Sequence, residues 1–196
     1  LPTMFYISKM DEDHANYYKV VDEMRETFGH TVVPLIFPMM KGDKCVGLVD
    51  LLSRTARDTE GNSTALTPEA EARCDEYLAE LSEQVAETSE ELMEKFFMEE
   101  PFTEAELIQG VKDGMRQRSI TPVFCGSALA GYGSKRVMEY LVKFCPTPLE
   151  GHPMETADGG ELLLDPKGSP AAFVFKTISD QFGKNSYFKV ISGDIT

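Results

Sequence analysis

Positive charge is what this sequence lacks in one long stretch. Its 196 residues include 19 Lys or Arg against 33 Asp or Glu, a formal net charge of −14. Nearly all of the deficit lies in residues 69–106, where fourteen acids face two bases, Arg73 and Lys95. A surface made from that stretch repels phosphates, so broad nucleic-acid binding through it is excluded. It suits a basic protein partner or a well-solvated face. Long apolar runs are missing too; none approaches the roughly 18–20 residues that a membrane-spanning helix needs. No basic segment followed by an apolar stretch and a cleavage site opens the chain, so no secretory leader is expected. The four cysteines (Cys45, Cys74, Cys125, Cys145) have no Cys-x-x-Cys spacing, and His14, His30 and His152 are scattered. The usual zinc signatures and a disulfide framework are thereby excluded, and reduced thiols in a cytoplasmic protein are expected.

Catalytic motifs are equally absent. No Gly-x-x-x-x-Gly-Lys-Ser/Thr loop is present to cradle phosphates or to hold magnesium through a hydroxyl. Gly183-Lys184 sits in a hairpin-like context and reads as a turn. No Ser–His–Asp order is suggested by spacing, and the many carboxylates fall on helix faces rather than in isolated pairs. These residues by themselves are not expected to hydrolyse a nucleotide.

What is present is a globular composition, 42% hydrophobic and 10% aromatic, long enough for one domain or for one domain and part of another. Residues 3–8 read as a short buried strand. Asp13 is placed to cap a helix reaching Phe28, with Gly29 as its stop and Tyr17, Val20, Val21, Met24 and Phe28 as its apolar stripe. Two strand-like runs follow, "TVVPLIFPM" and "KCVGLVDLL", joined by a turn at Gly42-Asp43. Residues 53–66 read as a loop or weak hairpin. Three helices come next, opened by Thr67-Pro68 and by capping-box pairs Thr88/Glu91 and Thr103/Glu106. The first carries an apolar stripe of Cys74, Tyr77, Leu78, Leu81 and Val85. "SITPVFCGSAL" is a second buried strand, and a helix from Ser134 to Phe144 ends at the proline-rich "CPTPLEGHP". From Ala171 the pattern is all-β, and two or three strands cannot close a barrel.

Two motifs carry chemistry. "SKMD", residues 8–11, ends a buried strand, where α/β sheets place ligand-contacting loops. Asp11 can accept both the ring N–H and the exocyclic amine of guanine, an arrangement adenine cannot complete. The Lys9 stem can lie along the base plane. Alone, Lys-x-Asp is also an ordinary surface turn. "CGSAL", residues 125–129, ends the second buried strand, and its small residues let a backbone N–H at Ser127 or Ala128 approach a base oxygen. Alone, that too is an ordinary strand-to-helix turn. Together they are more specific, since both end buried strands and both precede helices. The 116 positions from Asp11 to Ser127 exceed what one crossover needs, so an insertion is expected.

In wording, order and spacing, "SKMD", "GLVDL", "VAETSEELMEKFF", "TPVFCGSAL" and "SGDIT" resemble bacterial elongation factor G, a translational GTPase. The resemblance covers nearly the whole chain. It implies an α/β fold: a partial P-loop-GTPase-type sheet with an inserted α+β subdomain, followed by an incomplete β-barrel segment. The implied divisions are 1–147 for the C-terminal part of the GTPase domain (insertion about 32–118), 148–168 for a linker, and 169–196 for the start of the second domain. It also implies that the chain is one section of a longer protein, which binds GTP or GDP with magnesium and drives tRNA–mRNA translocation on the ribosome. Ser8, Lys9, Asp11, Ser127 and Ala128 would contact the nucleotide. The acidic helices would dock the C-terminal domain of the ribosomal stalk protein, with Glu83, Glu87 and Glu91 as candidates along one face. The pattern departs at Ser8, where the family has Asn; a hydroxyl offers one hydrogen-bonding arm fewer, and a divergent paralogue gains weight. Ribosome-protection and release-factor GTPases share the domain, but the long acidic insertion disfavours them. A non-catalytic acidic adaptor is the alternative from a different class.

Overall fold

Phe5–Ile7 form a three-residue strand, β1, which runs parallel to β7, Thr121–Cys125. The computed structural model of the chain describes residues 2–150, 153–156 and 158–195, so Gly151, His152 and Thr196 of the stretches quoted above lie outside it. β7 also pairs in parallel with β2, Val32–Pro34, giving a three-stranded sheet in the order β1-β7-β2. Helix α1, Tyr17–Phe28, connects β1 to β2. Asn16 caps it, through a side-chain oxygen that accepts from the Lys19 N–H at 3.1 Å. Asp13 therefore does not cap this helix. Two successive turns, Glu12 N–H to Lys9 O and Ala15 N–H to Glu12 O, occupy the chain up to residue 15. Gly29 ends α1 at φ +79°, where a side chain would be strained.

The run "TVVPLIFPM" does not make one strand but serves two sheets. Leu35 breaks it: its N–H donates to Val123 O in the parallel sheet, and its carbonyl accepts from Leu51 N–H. The chain then passes into an antiparallel sheet of β3 (Ile36–Lys41), β4 (Lys44–Asp50), β5 (Thr55–Asp58) and β6 (Ser63–Thr64), in sequential order. Residues 53–66 thus include the expected hairpin. Val32–Pro34 lie inside the range expected for the insertion, yet they belong to the parallel sheet, so the excursion starts after Pro34.

Helices α2 (Pro68–Ala86), α3 (Glu90–Phe97) and α4 (Glu104–Gln117) follow. Thr67 caps α2, and Thr103 with Glu106 forms a complete capping box on α4. The cap of α3 is Ser89 rather than Thr88, because the Thr88 hydroxyl donates back to Val85 O at 2.7 Å and finishes α2. Ala70, Cys74, Tyr77, Leu81 and Val85 form the buried stripe of α2, with Leu78 at its margin. Helix α5, Ser134–Phe144, lies on the parallel sheet through Phe124, Tyr140 and Phe144, whose successive ring centroids are 5.5 and 5.0 Å apart. One continuous core joins both sheets to α1, α2, α4 and α5, so the excursion has no separate core of its own.

The chain divides into two compact units, Leu1–Cys145 and Pro146–Thr196. In the second, residues expected to be linker include a small hairpin of β8 (Met154–Glu155) and β9 (Glu161–Leu162). Its main element is a two-stranded antiparallel ribbon, β10 (Ala171–Asp180) with β11 (Gly183–Ser192). The fold is mixed α/β, with parallel and antiparallel sheets and no closed barrel among the described residues.

Candidate functional site

Parallel pairing of β1 with β7 is what builds the site. Because Ile7 stands beside Cys125, the segments leaving both strands emerge side by side at the same sheet edge. Two backbone hydrogen bonds join them: Gly126 N–H to Ile7 O at 3.1 Å, and Met10 N–H to Gly126 O at 3.2 Å. The Met10 side chain is buried in the core, while Ser8, Lys9 and Asp11 are exposed around it. Met10 thus works as an anchor that turns Lys9 and Asp11 outward. Lys9 holds φ at +62°, an uncommon value for a residue with a side chain, and its carbonyl closes the turn to Glu12. Such outliers persist only where surrounding contacts enforce them.

The second loop is tied inward. Ser127 is fully buried, and all its polar groups are engaged. Its N–H donates to Tyr132 O at 3.0 Å, its carbonyl accepts from Gly131 N–H at 3.0 Å, and its Oγ accepts from Ala130 N–H at 2.9 Å. Ala128 is exposed. Of the two residues, Ala128 therefore presents the backbone N–H that is open to a base oxygen. Gly126 and Gly133 are needed for this close weave. A Cβ on Gly126 would come within 2.5 Å of Tyr132 O and 2.7 Å of the Tyr6 hydroxyl, and one on Gly133 within 2.6 Å of Cys125 O. Tyr6 completes the frame with its hydroxyl set against Gly126; burial pushes its pKa up.

Met10, Tyr6, Tyr132 and the two glycines are residues the motif reading missed. The glycine spacing in "CGSALAGYGS" was a usable signal; the role of the tyrosines depends on which strands are neighbours. Behind the loops, buried Asp50 at the end of β4 accepts from the Tyr140 hydroxyl at 2.7 Å and pairs with Arg136 Nε at 3.1 Å, fixing α5 to the antiparallel sheet. Beside them a cavity of about 340 Å³ opens between β4, β5 and the start of α5. It contains both signs of charge, Arg57 and Lys135 against Asp58 and Glu60.

The acidic candidates are only partly brought together. Glu83 on α2 and Glu87 at its C-cap, one turn apart, are exposed and line a hollow with Arg25, His30, Glu80 and Gln84. Arg25 is engaged there, by Glu80 at 2.5 Å. Glu91 is exposed on α3 and lines neither this hollow nor the shallower one formed by Glu87, Glu90, Met93, Glu94 and Phe97. Among the described residues no group of three His, Cys, Asp or Glu could hold a metal ion, and no helix is long and apolar enough to cross a membrane.

No protein-family model matches the chain. Among solved structures it is similar to a crystal structure of a protein from Thermus thermophilus, with 26% sequence identity and a TM-score of 0.77. The similarity covers 98% of this chain but 28% of that protein, so the chain spans less than a third of the length of the structure it matches. The mixed α/β arrangement shared with that protein is consistent with a section of a GTPase-like fold.

Proposed function

We propose that this chain is the guanine-reading section of a translational GTPase related to elongation factor G. The observation that supports this reading is the juxtaposition of two loops on adjacent parallel strands, with the Asp11 carboxylate and the Ala128 N–H both open at one sheet edge. Asp11 accepts from the ring N–H and exocyclic amine of guanine, and Ala128 donates to its O6. Lys9 lies along the base, and buried Ser127 holds the second loop in shape. A wrong base leaves these groups unpaired, at a cost of roughly 1–3 kcal/mol for each lost contact. Phosphates, magnesium and the hydrolytic water are handled by parts of the longer protein outside these residues. There GTP hydrolysis drives tRNA–mRNA movement on the ribosome.

The test is a titration of GDP and ADP against the full-length gene product and against this chain alone. Sub-micromolar GDP binding by the full-length protein, with none by this chain, is expected. Equal affinity for ADP, or no guanine binding by the full-length protein, would remove the reading.

The acidic helices favour a second contact. Glu83 and Glu87 flank a hollow, and Phe97 and Met98 are 77% and 69% exposed at the end of α3. An apolar patch rimmed by acids suits the C-terminal domain of the ribosomal stalk protein, with charge setting the association rate. Changing Glu83, Glu87 and Glu91 together to Lys should abolish that binding at low salt. Undiminished affinity would leave the acidic face as solvated surface.

A further inference from the structure

We propose that Asp50 is a positioning residue for the second base-reading loop: by gripping the first two turns of α5 it sets where the Ala128 N–H stands. The role rests on the guanine reading above. The loop leaves β7 after Cys125 and enters α5 at Ser134, so its shape is held from both ends. The first end is fixed by the backbone bonds that join Gly126 to Ile7 and Met10. The second end folds back on the first: a Cβ on Gly133 would lie 2.6 Å from Cys125 O and 2.9 Å from Gly126 Cα. Between the ends, Ser127 N–H donates to Tyr132 O and Gly131 N–H to Ser127 O, both at 3.0 Å. These bonds cross-link the loop, so a shift of α5 is passed on to Ala128 rather than absorbed.

Asp50 supplies a directional hold on that helix. Strand β4 carries Leu48 and Asp50 two residues apart, hence on one face. Leu48 sits at the Gly133 junction, its Cδ1 3.0 Å from where a Cβ would stand. Asp50 reaches the turns beyond: it pairs with Arg136 Nε at 3.1 Å in the first and accepts from the Tyr140 hydroxyl at 2.7 Å in the second. The Ser53 N–H donates to the same carboxylate at 3.2 Å and fixes it from its own side. Asp50 is 4% exposed, so a partner taken away leaves a buried charge short of a contact. The Tyr140 ring, 5.5 Å from Phe124 of β7, also packs α5 on the parallel sheet, but apolar contact does not fix position along it. Asp11 is carried by β1 and anchored through Met10 instead. Loss of the Asp50 grip should therefore loosen O6 recognition and spare the N1 and N2 edge.

Two nucleotide ratios, measured on the full-length gene product, separate the edges. 6-Thio-GDP weakens the acceptor at position 6, and IDP lacks the 2-amino group. Tyr140→Phe keeps the ring and removes the hydroxyl; Asp50→Asn removes the charge that Arg136 pairs with, and Arg136→Gln replaces it should that variant not fold. In each, the preference for GDP over 6-thio-GDP should fall by about threefold or more, while the preference for GDP over IDP changes by less than about twofold. Glu139→Gln breaks the neighbouring Arg136–Glu139 pair at 2.7 Å and leaves Asp50 its partners, so both ratios should stay at the wild-type value. A matching fall in Glu139→Gln would make the effect one of helix stability and overturn the inference. An unchanged 6-thio-GDP ratio in Tyr140→Phe overturns it, and so does a parallel fall of both ratios, which would spread the effect over both loops. Absence of GDP binding by the wild-type protein would overturn the guanine reading together with it.

Discussion

At the scale of single residues, the corner is governed by which polar groups are already engaged. Ser127 has none left over, whereas Asp11 and the Ala128 N–H face outward. Asp11→Asn turns one acceptor position into a donor. GDP affinity should then fall by a hundredfold or more, since hydrogen bonds to a charged group contribute about 1.5–3 kcal/mol each. Xanthosine diphosphate, which offers a carbonyl where guanine has an amine, should bind better to that variant than to the wild type. Ser8 is exposed beside Lys9. Ser8→Asn restores a second hydrogen-bonding arm and should raise GDP affinity by about three- to tenfold, the worth of one neutral hydrogen bond. Fluorescent-nucleotide titrations of the full-length protein check both.

At the scale of elements, caps and helix contacts decide. Glu106 ends the capping box of α4 and also takes the Lys95 ammonium of α3 at 2.7 Å, joining two helices. The Lys95 hydrogen bond first, then the Thr103 N–H and hydroxyl, hold its carboxyl down from 4.5 to about 2. A depressed folded-state pKa stabilises above the unfolded value and loses that contribution as pH falls. Glu106→Gln should therefore lower the thermal midpoint at pH 7. The gap to the wild type should close between about pH 4.5 and 2, as followed by circular dichroism. A gap that persists at about pH 2 would contradict the ionic account. Gly110 on α4 presents a different conflict. Alanine there gains about 1 kcal/mol in helix propensity, but its Cβ would sit 2.4 Å from Val85 Cγ1 on α2. Overpacking against a stiff side chain costs about 1–3 kcal/mol. Gly110→Ala should be net destabilising by about 1 kcal/mol in denaturant unfolding.

For the whole molecule, the two units contrast. The first has a single continuous core reaching from α1 to α5. In the second, the β10–β11 ribbon carries Phe173, Val174, Phe175, Tyr187, Phe188 and Val190, each 43–60% exposed. Apolar strands with open edges are templates for association. This chain in isolation should sediment as concentration-dependent higher-order species, and Phe175→Lys with Phe188→Lys should shift it towards monomer. A wild-type chain that stays monomeric at high micromolar concentration would show that the ribbon is not adhesive.

Local chemistry determined much of this from sequence. Thr67-Pro68, the Thr103/Glu106 box, Gly29, the α2 stripe and helix 134–144 are set by neighbours within a few residues, and each stands in the structure where the spacing predicts it. The errors fall where local signals compete. Thr88 and Ser89 are both good caps, and the helix ending at Ala86 claims the first through Val85 O. Asp13 is a good cap, but the turn that exposes Asp11 uses the residues around it. Tertiary structure alone decided that one run, residues 31–39, would feed two sheets, because an apolar strand pattern carries no record of its partner. It also decided that Tyr6 and Tyr132 would close on Gly126 behind the corner. Tyr6 stands on β1 and Tyr132 on the loop after β7, and the parallel pairing of those two strands places them together.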